Sequence, residues 1–141
     1  MSSEAEELAA LILREHRHLD DLLGRTLAAL SAPDDGSAAE CISSFDQELR
    51  RHTGFEDERV LARSPGVKLV APEGEEEEDG LRRELALEHV QIRELSGIIR
   101  RLLTEKSDRE GARRLLPGLM RRWDSHSTRE EGALAAILAG R

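Results

Sequence analysis

Apolar residues recur at intervals of three and four along most of the chain, which is the spacing of one face of an α-helix. Turn-forming residues interrupt this pattern at 31–36 (SAPDDG), 64–80 and 104–111 (TEKSDREG). The pattern therefore predicts four helices, at residues 4–30, 38–62, 81–103 and 108–138. Each helix carries one apolar stripe, and four such helices predict an all-α, up-down-up-down four-helix bundle. The predicted stripes consist of Leu8, Ile12, Leu19, Leu23 and Leu30; Ile42, Phe45, Leu49 and Val60; Leu85, Ile92, Ile99 and Leu103; and Leu115, Leu119, Trp123, Ala133 and Ile137.

Three of the helix starts carry a Ser-x-x-Glu capping signal, which predicts N-caps at Ser3, Ser37 and Ser107. The fourth start is expected near Asp79. Pro117 lies early in the last helix and predicts a kink or a restart there. We interpret residues 1–141 as a single domain in which 64–80 is a linker between the second and third helices.

Each predicted stripe also contains one histidine, and the second and fourth helices add a glutamate one turn later. These polar residues are His16, His52, Glu56, His89, His126 and Glu130. Burying unpaired carboxylates and imidazoles is unfavourable, so these groups need a shared positive partner. A lone buried histidine is more often a core residue with a hydrogen bond, but six such placements on four helices favour a metal site. Asp57, Glu58 and Glu131 are expected to project away from this seam, the core-facing side of the helices that carries the six residues.

The polar residues follow an internal repeat. The pairs Glu15-His16 and Glu88-His89 are 73 residues apart, and the motifs that begin at His52 and at His126 are 74 residues apart. Two helix pairs of one design, packed about a pseudo-twofold axis, would face each other's polar side chains. The repeat therefore predicts two metal ions.

Mixed nitrogen and oxygen donors in this number exceed the needs of a structural zinc site and favour iron, with manganese as the weaker candidate. If Glu56 and Glu130 bridge two ions, each ion receives two histidines and two shared oxygens. Positions then remain for a solvent bridge and for a small ligand such as dioxygen, peroxide or nitric oxide.

Four segments carry a family resemblance that covers nearly the whole chain. LREHRHLDDLL, ELRRHTGFEDERVL, ALEHVQIREL and RRWDSHSTREEGAL are similar to the four metal-bearing helices of the hemerythrin-like HHE cation-binding family. The resemblance implies a non-heme centre of two iron ions, oxo- or hydroxo-bridged, with manganese or zinc as possible substitutes. It also implies oxygen binding, redox sensing, iron handling, or protection against peroxide and nitric oxide. The implied ligands are the six residues His16, His52, Glu56, His89, His126 and Glu130.

Two positions depart from the oxygen-carrying hemerythrins. Those proteins have a second histidine one turn after the ligand of the third helix, where this chain has Arg93, and they have His-x-x-x-x-Asp where this chain has His126-x-x-x-Glu130. Both departures argue against reversible oxygen carriage and leave room for redox reactivity or signalling. A diiron enzyme that decomposes hydrogen peroxide or acts as an oxidase stays open, as does a metal-free helical interaction module.

Composition narrows the class of partner. The net charge of −8 argues against a nucleic-acid or anionic membrane surface, since both require a basic face. One cysteine, an acidic N-terminus and the lack of a 20-residue apolar run lead us to expect a cytoplasmic protein. His18 points away from His16 and is expected on the helix flank, whereas Trp123 is expected beside the cluster.

Overall fold

The described residues, 4–33, 36–61, 69 and 78–134 of a computed structural model, form four long helices. The helices are α1 (Glu4–Ser31), α2 (Ser37–Glu56), α3 (Glu78–Thr104) and α4 (Arg109–Ala133), and a π-helix at Asp57–Leu61 continues α2. Each helix packs against two neighbours in the cyclic order α1, α2, α3, α4, and the diagonal pairs within these ranges do not pack together. The predicted all-α four-helix bundle is confirmed.

The apolar stripes meet in two clusters along the bundle. The first apolar cluster fills one end and consists of Leu19, Leu22, Leu23, Leu30, Ala38, Ile42, Phe45, Leu49, Ile92, Ile99, Leu103, Ala112, Leu116, Leu119 and Trp123. The second apolar cluster consists of Ile12, Val60, Leu61, Leu69, Leu81, Leu85, Ala133 and Leu134. Burying a large aliphatic side chain contributes about 1.5–3 kcal/mol, so the two clusters supply the main drive for folding.

Most of the predicted stripe residues are buried, as the helical period requires. Leu8 and Leu115 are only partly buried, and Ile137 lies outside the described residues. On each of the four helices, the histidine lies between the residues that belong to the first apolar cluster and those that belong to the second. The bundle therefore contains a polar layer with apolar packing on both sides.

Two predicted N-caps are wrong by one residue. The N-cap of α2 is Gly36, whose φ of 86° lies in the left-handed region that glycine adopts without strain, so Ser37 is the first helical residue. The N-cap of α4 is Asp108, whose Oδ1 accepts a hydrogen bond of 2.8 Å from the Gly111 N–H. A carboxylate also interacts favourably with the positive end of the helix, which explains why Asp108 caps α4 in preference to Ser107. Ser3 lies outside the described residues.

The helix boundaries also differ from the prediction. The α-helix that was predicted to reach residue 62 ends at Glu56 and continues as the π-helix, while α3 begins at Glu78, inside the predicted linker. Of the remaining linker residues only Leu69 is described, and its N–H donates to Glu78 Oε1 at 3.1 Å. Helix α4 ends at Ala133, short of the predicted 138, and runs through Pro117 without a restart. The buried neighbours Leu116 and Leu119 hold both sides of the proline in the core. No described helix has the length and apolar character needed to cross a membrane.

We expect Asp108→Ala to lower the free energy of unfolding by about 1 kcal/mol, because the first turn of α4 loses its capping acceptor. Ser107→Ala is the matched control and should change it little. Urea denaturation of both variants measures the difference, and a larger loss in Ser107→Ala would contradict the assigned cap.

Candidate metal centre

The polar layer brings together all six residues that the sequence singled out. His16 comes from α1, His52 and Glu56 from α2, His89 from α3, and His126 and Glu130 from α4. Each of these side chains is at most 2% exposed. The helical period produces this layer, because each histidine lies three or four residues from a buried apolar neighbour on the same helix face.

The layer divides into two groups that share their carboxylates. One group contains His16 and His52 together with Glu56 and Glu130, and the other contains His89 and His126 with the same two glutamates. Within each group the candidate donor atoms all lie within 4.8 Å of one another. Two adjacent cation positions joined by two carboxylates fit this arrangement.

The inward atoms approach one another closely without forming hydrogen bonds. His52 Nε2 lies 2.8 Å from Glu56 Oε1, and His16 Nε2 lies 2.9 Å from Glu130 Oε1. His89 Nε2 lies 3.2 Å from Glu56 Oε1. The Nε2 atoms of all four histidines and both carboxylate oxygens of the two glutamates are buried without a hydrogen-bond partner. Buried polar atoms are normally satisfied, so this donor set fits bound cations.

Each histidine directs its other ring nitrogen, Nδ1, to a carboxylate on a neighbouring helix. His16 pairs with Glu131 at 3.0 Å, His52 with Glu15 at 2.8 Å, His89 with Asp57 at 2.8 Å, and His126 with Glu88 at 2.7 Å. We call Glu15, Asp57, Glu88 and Glu131 the outer carboxylates. A carboxylate on Nδ1 selects the tautomer whose Nε2 lone pair faces inward, fixes the ring and raises its basicity as a ligand.

The outer carboxylates contact the candidate site, and the sequence reasoning did not include them in it. Asp57 and Glu131 were expected to project away from the seam, and this expectation is wrong because each contacts the outer nitrogen of a histidine. Each follows an inward glutamate by one residue, and the resulting turn of about 100° directs it at the neighbouring helix. The repeated acid doublets Glu56-Asp57 and Glu130-Glu131 were the available signal.

The electrostatics of the polar layer are dominated by its carboxylates. Burial opposes protonation of His16, but Glu130 and Glu56 outweigh burial and raise its pKa to about 10. Against the same opposition, Asp57, Glu130 and Glu56 raise the pKa of His89 to about 11. Burial acts to raise the pKa of Glu130, yet Glu56 and the surrounding histidines hold it well below its usual range. Protons on His16, His89 and His126, whose pKa values are all raised, therefore balance the carboxylates in the metal-free protein, and cations would displace them.

Trp123 packs against the layer, as predicted. Its ring centroid lies 5.1 Å from that of His16, 6.3 Å from that of His52 and 6.1 Å from that of His126. The indole N–H donates to Asp20 Oδ1 at 2.6 Å. The indole therefore closes one side of the layer with apolar surface.

Two further positions were singled out in the sequence. His18 is exposed on the flank of α1, as predicted. Arg93 lies outside the polar layer, where its guanidinium donates to Thr53 Oγ1 at 2.8 Å and to Asp57 Oδ2 at 3.4 Å. It thus contacts an outer carboxylate.

A surface cavity of about 250 Å³ lies between α3 and α4 and reaches the ring of His126. Its lining includes Glu88, Gln91, Arg122 and Ser125. The cavity therefore lies beside the outer edge of the layer, where Glu88 pairs with His126.

A four-helix bundle with two buried groups of histidine and glutamate is typical of helical proteins that bind cations. The Hemerythrin HHE cation binding domain family matches residues 7–138, and the chain belongs to this family. No curated protein and no solved structure matches the chain significantly. The family match confirms the resemblance found in the four helical segments.

The pKa shifts give the metal-free protein a defined dependence on pH. The pKa values of His16 and His89 are raised above the usual 6.5, so their stabilising contribution is complete below about pH 6.5 and is lost as the pH rises towards 10 and 11. Glu130, whose pKa is lowered, contributes above its usual 4.5 and loses this contribution only in more acidic solution. We expect urea denaturation in the presence of a chelator to show falling stability from pH 7 to pH 10.

His18→Ala is the matched control for this measurement and should follow the wild-type curve. His16→Gln should make the curve less steep without levelling it, because one titrating imidazole is removed while His89 remains. Stability that rises between pH 7 and pH 9 would contradict the assigned shifts.

Proposed function

We propose that this hemerythrin-like protein holds two iron ions in the polar layer and binds or senses dioxygen or a related small oxidant, such as peroxide or nitric oxide. The main support is the set of eight inward nitrogen and oxygen atoms that are buried without hydrogen bonds. Imidazole and carboxylate donors in this number suit iron, and manganese or zinc could substitute.

The six residues of the layer have distinct roles in this proposal. His16 and His52 would hold one ion, His89 and His126 would hold the other, and Glu56 and Glu130 would be shared by both. Iron bound there would supply a redox-active centre with room for a small ligand. The outer carboxylates keep the four Nε2 atoms directed inward, so the donor atoms are oriented before a metal arrives and the metal has only to displace their protons.

The surroundings favour a small ligand. The two apolar clusters and Trp123 pack against the layer, and the surface cavity of about 250 Å³ next to His126 has space for a small molecule. A larger substrate would have to displace core side chains at a cost of several kcal/mol. Gas molecules and peroxide meet this limit on size.

Metal analysis tests the ligand set directly. We expect wild-type protein to bind about two iron ions per chain and His16→Ala to lose at least one of them, because one position then keeps a single histidine. The matched control is His18→Ala, which removes an exposed imidazole two residues away and should bind as much iron as wild type. Equal iron contents in all three proteins would refute the assignment of His16.

Trp123 provides an independent signal, since it is the one tryptophan and the chain contains no tyrosine. Transition-metal ions close to an indole quench its fluorescence, so anaerobic titration with ferrous iron should quench Trp123 up to the same stoichiometry. The metal should also raise the melting temperature, because a ligand at 100 times its Kd stabilises the folded state by about 2.7 kcal/mol. Equal melting temperatures with and without iron would favour a metal-free interaction module.

Reaction with hydrogen peroxide separates binding or sensing from enzymatic turnover. We expect iron-loaded protein to show a single spectral change on addition of peroxide or dioxygen, without continuous consumption of the oxidant. Sustained peroxide decomposition that is lost in Glu56→Ala would instead identify an enzyme. Protein that stays colourless after loading with iron in air would count against iron itself.

A further inference from the structure

Three of the four outer carboxylates are themselves bound by an arginine. Arg51 donates to Glu15 Oε2 at 2.9 Å. Arg129 donates to Glu88 Oε2 at 2.7 Å. Arg93 is the third, and it bridges Asp57 and Thr53. Among the residues that the structure describes, Glu131 forms no ion pair with an arginine or lysine, and its carboxylate pairs with His16.

The internal repeat shows where this asymmetry comes from. The repeat spacings place Asp57 opposite Glu131, Thr53 opposite Ser127, and Arg93 opposite Asp20. Asp20 is an acid, and it accepts the indole N–H of Trp123 instead of supplying a cation to Glu131. Consistent with a missing donor, the Ser127 hydroxyl is buried and has no hydrogen-bond partner, whereas the Thr53 hydroxyl accepts from Arg93.

The missing arginine affects how firmly His16 is held. The Glu131 side chain is 39% exposed and must keep its rotamer without an anchor, whereas Asp57 has one rotatable bond fewer and is held by Arg93. Holding a glutamate side chain in one rotamer costs conformational entropy, so the unanchored Glu131 leaves its histidine more readily. His52, His89 and His126 are all supported by anchored carboxylates.

We propose that Arg93 is a positioning residue that makes the two metal positions unequal, so that the ion at His89 and His126 is held firmly while the ion at His16 and His52 exchanges first. This inference rests on the proposed metal-binding function. Removing the carboxylate that binds the outer nitrogen of a metal-bound histidine weakens metal affinity by about 10–100-fold. Glu131 is present but unanchored, so we expect a difference of about tenfold, at the lower end of this range. The two ions should therefore leave at rates that differ by about tenfold.

Release of ferrous iron to a chromogenic chelator tests the inequality. Wild-type protein loaded anaerobically with about two ions per chain should release them in two phases of equal amplitude. Glu131→Gln should accelerate only the fast phase, because its amide is a weaker partner for the His16 N–H than the carboxylate. This variant assigns the fast phase to the position at His16 and His52.

Arg93→Gln should accelerate the slow phase by about tenfold and merge the two phases, while Arg93→Lys should restore part of the difference because its ammonium can still pair with Asp57. The matched control is Arg100→Gln. Arg100 lies two turns further along α3 and pairs with Asp46 of α2 at 3.2 Å, in an ion pair that contacts no histidine. This control should leave both rates unchanged.

Three results would overturn the inference. Wild-type protein that releases two ions in a single phase would show equivalent positions and leave the metal-binding function intact. Equal acceleration in Arg93→Gln and Arg100→Gln would show a general loss of stability. Failure of the wild-type protein to bind iron would overturn the proposed function together with this inference.

Discussion

The structure depends on the burial of four imidazoles and two carboxylates in one layer between two apolar clusters. In a bundle of this size such a layer would be strongly unfavourable if its charges were unbalanced. Its inward atoms are arranged so that nitrogen and oxygen donors face one another without hydrogen bonds. Burying this polar layer inside the bundle costs free energy. A cation bound between the inward atoms would offset that cost.

The outer carboxylates and their arginines extend this balance outward. The two inward glutamates and the four outer carboxylates carry a formal charge of −6, and the three arginines offset at most +3 of it because Arg51 and Arg129 also pair with Glu48 and Glu84. At least three negative charges therefore remain for protons or bound cations to balance. In the metal-free protein, protons on His16 and His89 supply part of the balancing positive charge. The charges around the layer are therefore matched to exchange between protons and metal ions.

The sequence predicts the inner part of this arrangement better than the outer part. The helical period alone places His16, His52, His89 and His126 on the core faces, because an inward position depends only on neighbours in the same helix. Contacts such as Asp57 with His89 and Glu131 with His16 depend on how neighbouring helices are rotated against each other, which no single-helix pattern records. The same limit applies to Arg93. In the sequence it occupies the position of a histidine ligand of the oxygen-carrying hemerythrins, but in the structure it contacts an outer carboxylate.

The hydrophobic pattern also did not predict the exact ends of the helices. The capping signals at Ser37 and Ser107 competed with Gly36 and Asp108, and the wider turn of the π-helix after Glu56 has no periodic signature in five residues. These differences lie at helix ends and leave the rotation of the core faces unchanged.

The position of the arginines one shell outside the polar layer has a consequence for divergence among related proteins. Under the proposed function, substitutions at the six inward residues would abolish the metal centre, whereas substitutions at Arg51, Arg93 or Arg129 would change how rigidly a carboxylate holds an imidazole. Proteins with the same six inward side chains can therefore acquire different exchange rates and reactivities through changes on the helix flanks. Variation at these flank positions would tune the chemistry of a centre whose coordinating side chains remain constant.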